Sequence, residues 1–154
     1  MPYKKNTKNE LIEEFLKFLI SIRRIKNIDI KIHSLATEMA LDRIMRINGL
    51  KKKTTELKAF HPGAGKGWDI HLEDKKTGEI YYAEILSNDN FNYGEQKNKL
   101  FKTAKKLLKE KEAKRYLFVL FDKQVKDTGK VLKPDIKRSD FEKIKIISIF
   151  QENL

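Results

Sequence analysis

The spacing of apolar residues changes along the chain, and each change marks an element. Over residues 10–25, Leu11, Phe15, Phe18, Leu19 and Ile22 recur at helical spacing among charged residues, which predicts an amphipathic first helix. Asn27 and Asp29 punctuate the chain, and a second helix is expected over residues 34–47. It should stop at Asn48-Gly49, where glycine can take the left-handed conformation that closes a helix. Beyond Gly49 the pattern shortens to strand-length segments at residues 52–60, 67–73 and 79–86. The last two alternate apolar and polar positions on either side of an Asp-Lys-Lys-Thr-Gly turn, so the three read as an antiparallel unit.

The second half returns to longer periods. A helix over residues 93–111 places Leu100, Ala104, Leu107 and Leu108 on one stripe, with Lys97, Lys99, Lys102, Lys105, Lys106 and Lys109 around the rest. Asn92 and Glu95 fit a capping box at its start. Residues 115–121 contain the continuous run Tyr-Leu-Phe-Val-Leu-Phe, the signature of a central strand buried on both faces. Residues 123–137 read as a polar excursion, and residues 145–150 as the last strand. This order predicts an α/β domain over residues 1–154: a mixed sheet with an antiparallel hairpin core, flanked by helices, two of which precede the first strand.

The hairpin carries the candidate chemistry. Alternation sets Asp69, His71 and Glu73 on one face of the second strand, opposite to Trp68, Ile70 and Leu72; in the third, Ile80, Tyr82, Glu84 and Leu86 oppose Tyr81, Ala83 and Ile85. If the loop is Thr77-Gly78, or the four residues 75–78, its even length puts Asp69 and Glu84 on the same face within one cross-strand step. Trp68, Ile70, Leu72, Tyr81, Ala83 and Ile85 then form the core face. An odd loop or a bulge would separate the two acids.

Composition narrows what such a pair would do. Lys and Arg outnumber Asp and Glu by 34 to 22, a net charge of +12, which favours a polyanionic partner, nucleic acid first. No cysteine is present, so a disulfide framework and a thiolate zinc site are excluded, and three histidines are too few for a histidine cluster with a separate base. Any metal would be held by carboxylates, which suits Mg²⁺. The glycines of His61-Pro62-Gly63-Ala64-Gly65-Lys66-Gly67 do not follow a nucleotide-cradling pattern, and the segment reads as a loop. A short polar N-terminus and the lack of a long apolar run lead to the expectation of a cytoplasmic protein without membrane contact.

Gly67-Trp68-Asp69-Ile70, a turn, and Tyr82-Ala83-Glu84-Ile85-Leu86 together resemble the motif of the PD-(D/E)XK, restriction-endonuclease-like nucleases, the two acids lying fifteen positions apart. The resemblance spans residues 34–121 and includes an acid on the preceding helix, Glu38, and Gln96 on the following one. It implies a DNA endonuclease of restriction or repair type, with Asp69 and Glu84 holding Mg²⁺ or Mn²⁺, and for a chain this small a homodimer that cuts both strands. Two departures stand out. Gly67-Trp68 occupies the place of the motif's proline, and Leu86 that of its lysine. Lys97, Lys99 or Lys66 would supply the missing charge, while Lys66, Gln96, Lys97, Lys102 and Lys105 would contact phosphates. Glu38 is as well placed to be an ordinary half-exposed acid as a third ligand, and His71 to be a hydrogen-bonded strand residue. Two other readings stay open: a catalytically disabled nuclease fold that binds nucleic acid, and a protein-interaction subunit.

Overall fold

In a computed structural model of the chain, residues 8–21, 28–60, 67–87 and 94–150 are described. The helices α1 (Lys8–Ser21) and α2 (Ile28–Ile47) precede the strands. α2 begins well before the expected position 34. The isoleucines at 28, 30 and 32 are β-branched and weak helix formers, so local preference argues against helix there. Packing decides otherwise: Ile28, Ile32, Ala36, Ala40 and Ile44 repeat every fourth residue and are all buried. Each isoleucine on that stripe contributes about 1.5–3 kcal/mol of burial. The helix ends as expected, with Gly49 at φ 62 and the Leu50 amide returning to the Met45 carbonyl at 2.8 Å.

Five strands, β1 (Thr55–Phe60), β2 (Ile70–Asp74), β3 (Ile80–Leu86), β4 (Lys114–Phe121) and β5 (Ile144–Phe150), form one sheet in chain order. β2 pairs antiparallel with both β1 and β3, whereas β3, β4 and β5 run parallel, so β3 joins the two halves of a mixed sheet. The hairpin between β2 and β3 closes through Lys75, Lys76, Thr77 and Gly78, with the Asp74 amide bonded to the Glu79 carbonyl at 2.9 Å. Asp74 builds the turn with its side chain. It accepts from the Lys76 amide (3.0 Å) and the Thr77 hydroxyl (3.1 Å), while Gly78, at φ 74, takes the left-handed position.

Parallel pairing requires crossovers, and α3 (Gly94–Leu108) joins β3 to β4 while α4 (Asp122–Leu132) and the short α5 (Arg138–Phe141) join β4 to β5. The polar excursion expected over residues 123–137 is therefore mostly helix. Its buried side is made by Gln124, Thr128, Gly129 and Leu132, and the first three are too polar or too small to register as an apolar stripe. The Gln124 side chain also accepts a hydrogen bond from the Phe121 amide at 2.9 Å, which anchors the first turn.

Two cores result. α1 and α2 cover the face bearing Ile70, Leu72, Tyr81, Ala83, Ile85, Tyr116, Phe118 and Leu120; α3 and α4 cover the face bearing Leu86, Leu117, Val119 and Ile144. β4 is buried on both, as its continuous apolar run predicts. No described helix is long and apolar enough to cross a membrane. The expected cap at Asn92 and the loop residues His61 and Lys66 lie outside the described residues.

Candidate active site

Register brings the two acids together. Leu72 pairs with Tyr81 and Ile70 with Ala83; continued by one residue, the same register sets Asp69 directly opposite Glu84. Asp69 Oδ2 accepts a hydrogen bond from the Ile85 amide at 2.9 Å, and the two carboxyl groups are close enough to influence each other's ionisation. Both side chains are largely withdrawn from solvent, at 14% and 12% exposure.

A histidine and a lysine complete the cluster. His33, on α2, places Nε2 3.6 Å from Asp69 Oδ2. Thr37, one turn further along, donates to the His33 carbonyl at 2.7 Å and keeps its hydroxyl 3.5 Å from Nδ1. Lys106, on α3, donates to Glu84 Oε1 and to the Gly67 carbonyl (2.6 Å), with its ammonium 4.3 Å from the centre of the Trp68 ring.

These partners drive the two acids apart. Burial opposes ionisation of Asp69, but the nearby His33 imidazole and the hydrogen bond from the Ile85 amide outweigh it and hold the carboxyl below its usual range. For Glu84, burial and then the neighbouring Asp69 charge raise the carboxyl to about 7 despite the Lys106 ammonium. Of the two, Asp69 is thus the stronger acid and Glu84 the weaker.

The lysines named from sequence fall elsewhere. Lys97 and Lys99 lie exposed in the first turns of α3, and neither makes a described contact with Asp69 or Glu84. Lys99 is on the same flank of the helix as Lys106 but seven residues, or about 10 Å, earlier. Lys102 and Lys105 are exposed on α3, and Gln96 is half-buried there. Leu86 is 2% exposed among Leu100, Ala104 and Leu107, so the motif's lysine position is core in this chain. Glu38 is not brought to the acids: five residues past His33, it projects about 140° around α2 and lines a groove with Ile12, Asp42 and Lys52.

Trp68 also departs from the expected core face. β2 becomes regular only at Ile70, and Gly67 at φ 126 turns the chain just before it, so strict alternation does not reach position 68. The indole packs on the α3 side of the sheet, 4.5 Å between ring centres from Tyr82, which in turn stacks on His71 at 4.4 Å. Burial, with Lys58 nearby, holds His71 below the usual imidazole value. His33 and Lys106 were missed by sequence for different reasons. The expected helix start left His33 outside α2, and Lys106 is one of six lysines that periodicity alone assigns to solvent.

Two hard oxygen donors from adjacent strands fit a small divalent cation that keeps much of its water, and Asp69 and Glu84 are the residues that would hold it. Among the described residues no group of three or more His, Cys, Asp or Glu forms a fuller cage. Fold and site together define the class: an α/β protein whose mixed sheet carries two adjoining carboxyl groups and a lysine where its antiparallel hairpin meets the crossover helix. Compared with protein-family models, curated proteins and solved structures, the chain matches none.

Proposed function

We propose that the chain is a metal-dependent phosphodiester hydrolase and, more narrowly, a DNA endonuclease of the PD-(D/E)XK, restriction-endonuclease-like kind. The observation that carries this reading is the convergence of Asp69 and Glu84 in direct register, with the Lys106 ammonium on Glu84. A bound Mg²⁺ or Mn²⁺ would stabilise charge on the phosphoryl group and acidify an attacking water. The chain's own groups then have distinct tasks. Asp69 and Glu84 offer the oxygen ligands, and His33 and the Ile85 amide fix the Asp69 carboxylate. Lys106 takes the part that Leu86 cannot, orienting water or countering charge on the phosphate. Exposed Lys97, Lys102 and Lys105 on α3 would meet the backbone phosphates, and a homodimer would present two such sites to a duplex.

The rival is the same fold used only for binding. The Lys106–Glu84 ion pair favours it, because an ammonium already compensates one of the ligands. Incubating labelled DNA with the protein in Mg²⁺ and in Mn²⁺ separates the two. Cleavage by the native chain that is lost in Asp69→Asn and Glu84→Gln supports the hydrolase. Salt-sensitive binding without cleavage in either metal supports the binding module, and absence of salt-sensitive DNA binding supports a protein-interaction role.

A further inference from the structure

Lys106 holds a carboxyl group that the hydrolytic reading also assigns to a metal ion, and the two claims conflict. A protonated lysine has three N–H donors and no acceptor. This ammonium meets three acceptors: Glu84 Oε1, the Gly67 carbonyl at 2.6 Å, and the Trp68 ring, whose centre lies at 4.3 Å. Only the first of them is a candidate metal ligand. A divalent cation and an ammonium on one carboxyl group are like charges at close range, and the ammonium is the one with other acceptors to turn to. Those two belong to the residues immediately before Asp69.

Both sides of this contact are held in place. Trp68 is half-buried, its ring centre 4.5 Å from that of Tyr82, which in turn lies 4.4 Å from His71. The stacked rings back the indole from the sheet while the ammonium reaches it from α3. Gly67, at φ 126, takes a conformation that side chains disfavour and presents the carbonyl. On α3, Thr103, Ala104 and Leu107 are buried around Lys106, so its stem leaves a fixed base. The side chain itself is 39% exposed and stays open to an incoming phosphate. The two departures from the nuclease motif are thereby joined: an indole stands where the motif has proline, and it holds the lysine that stands in for the one missing at Leu86.

We propose that the Trp68 ring and the Gly67 carbonyl form a dock that keeps the Lys106 ammonium beside the carboxylates when a divalent ion takes Glu84. Trp68 is then a positioning residue for the lysine, and the Lys106–Glu84 ion pair is a latch that the metal opens. The latch rests on the hydrolase reading of the site, whereas the dock is tested without metal and without cleavage. A methylene held over an indole is shielded by the ring current, so the Cε protons of a docked Lys106 resonate upfield of those of the other lysines. The full chain, carrying isotope-labelled lysine, is compared by proton–carbon NMR with Lys106→Met, Trp68→Leu, Trp68→Phe and Glu84→Gln.

One lysine signal should stand upfield in the native chain, vanish in Lys106→Met and Trp68→Leu, and survive with a smaller shift in Trp68→Phe. It should persist in Glu84→Gln, and in the native chain at saturating Mg²⁺. Return of the signal to the ordinary lysine position in Glu84→Gln, or on adding Mg²⁺, overturns the dock. Mn²⁺ binding, read by electron paramagnetic resonance, should be about ten-fold tighter in Lys106→Met, where no ammonium has to move; equal or weaker binding overturns the latch. On labelled DNA, Trp68→Leu should slow turnover with Mn²⁺ affinity unchanged and add nothing to the loss in Lys106→Met. A merely structural indole would slow both backgrounds alike, which refutes the positioning role. A native chain that binds neither ion defeats the hydrolase reading and the latch with it, and the Glu84→Gln spectrum still decides the dock.

Discussion

Replacing Lys106 by methionine keeps the length of its stem and removes only the ammonium, so the cost can be worked contact by contact. The ammonium gives up a hydrogen bond to the Gly67 carbonyl at 2.6 Å and its place 4.3 Å from the Trp68 ring centre. Lys106 is 39% exposed, so solvent screening reduces both contributions to about 1–2 kcal/mol in sum, at any pH. The ion pair with Glu84 behaves differently. Unfolded Glu84 releases its proton near the ordinary 4.5, and folded Glu84 only at about 7. Between those values the folded state binds more protons, so ionisation of Glu84 weakens the fold as pH rises. In Lys106→Met the folded value rises further, because the one compensating charge has gone. Below about 7 Glu84 is neutral in both proteins and nothing is added; above it the variant loses about 1 kcal/mol more, well under the cost of breaking a fully buried pair. Urea unfolding followed by Trp68 fluorescence, at about pH 5.5 and about pH 8.5, reads both parts. The loss should be larger at the higher pH, and Glu84→Gln in the same chain should remove the difference. Equal losses at the two pH values, or the greater loss in acid, would refute the assignment of Lys106 as the counter-charge of this pair.

Three further changes test neighbouring parts of the structure. His33→Ala removes the imidazole that holds the Asp69 carboxyl low, so its titration should move up toward the ordinary range; the stability that Asp69 supplies above that range, lost as pH falls through its folded value, should shrink. Carboxyl NMR titration measures this, and an unmoved Asp69 would deny His33 its positioning role. Gly129→Ala should stabilise by about 0.5–1 kcal/mol, since the site is helical and a new methyl meets only Phe141 Cζ at 3.6 Å, an ordinary contact; a lower urea midpoint would show that α4 and α5 have no room to spare. Tyr116→Phe breaks the pairing of a buried hydroxyl with the Asn48 amide (2.9 Å) and should cost about 1 kcal/mol in the same assay; a cost near zero would mean that this bond does not fasten the end of α2 to β4.

The hairpin was the most legible part of the site in the sequence. Alternation and the parity of a four-residue loop place Asp69 opposite Glu84 without any knowledge of the rest of the chain, because a strand's period admits only two faces. Helix phase was legible too: Leu100, Ala104 and Leu107 are buried together as their spacing requires. Legibility failed where burial is served by residues that do not look apolar. Thr128 and Gly129 line the inner side of α4 on the strength of size, and Ile28 and Ile32 form helix against their own preference because α2 needs their volume. Trp68 was misplaced because the alternation rule was extended past the first regular residue of β2.

The lysine shows why the site could not be completed from sequence, and why its displacement from the motif position makes physical sense. Residue 86 shares a strand face with Glu84, but α3 crosses that face, so position 86 lies beneath the helix at 2% exposure. An ammonium there would be stripped of water among leucines, at a cost of several kcal/mol. A helix joining two parallel strands runs back against them, so its later turns, not its first, return over the middle of β3. Lys97 and Lys99 belong to the first turns; Lys106 belongs to the return. The packing that makes residue 86 a leucine therefore also carries a lysine from the helix flank to Glu84, and the charge reaches the carboxylates from above the sheet instead of along the strand.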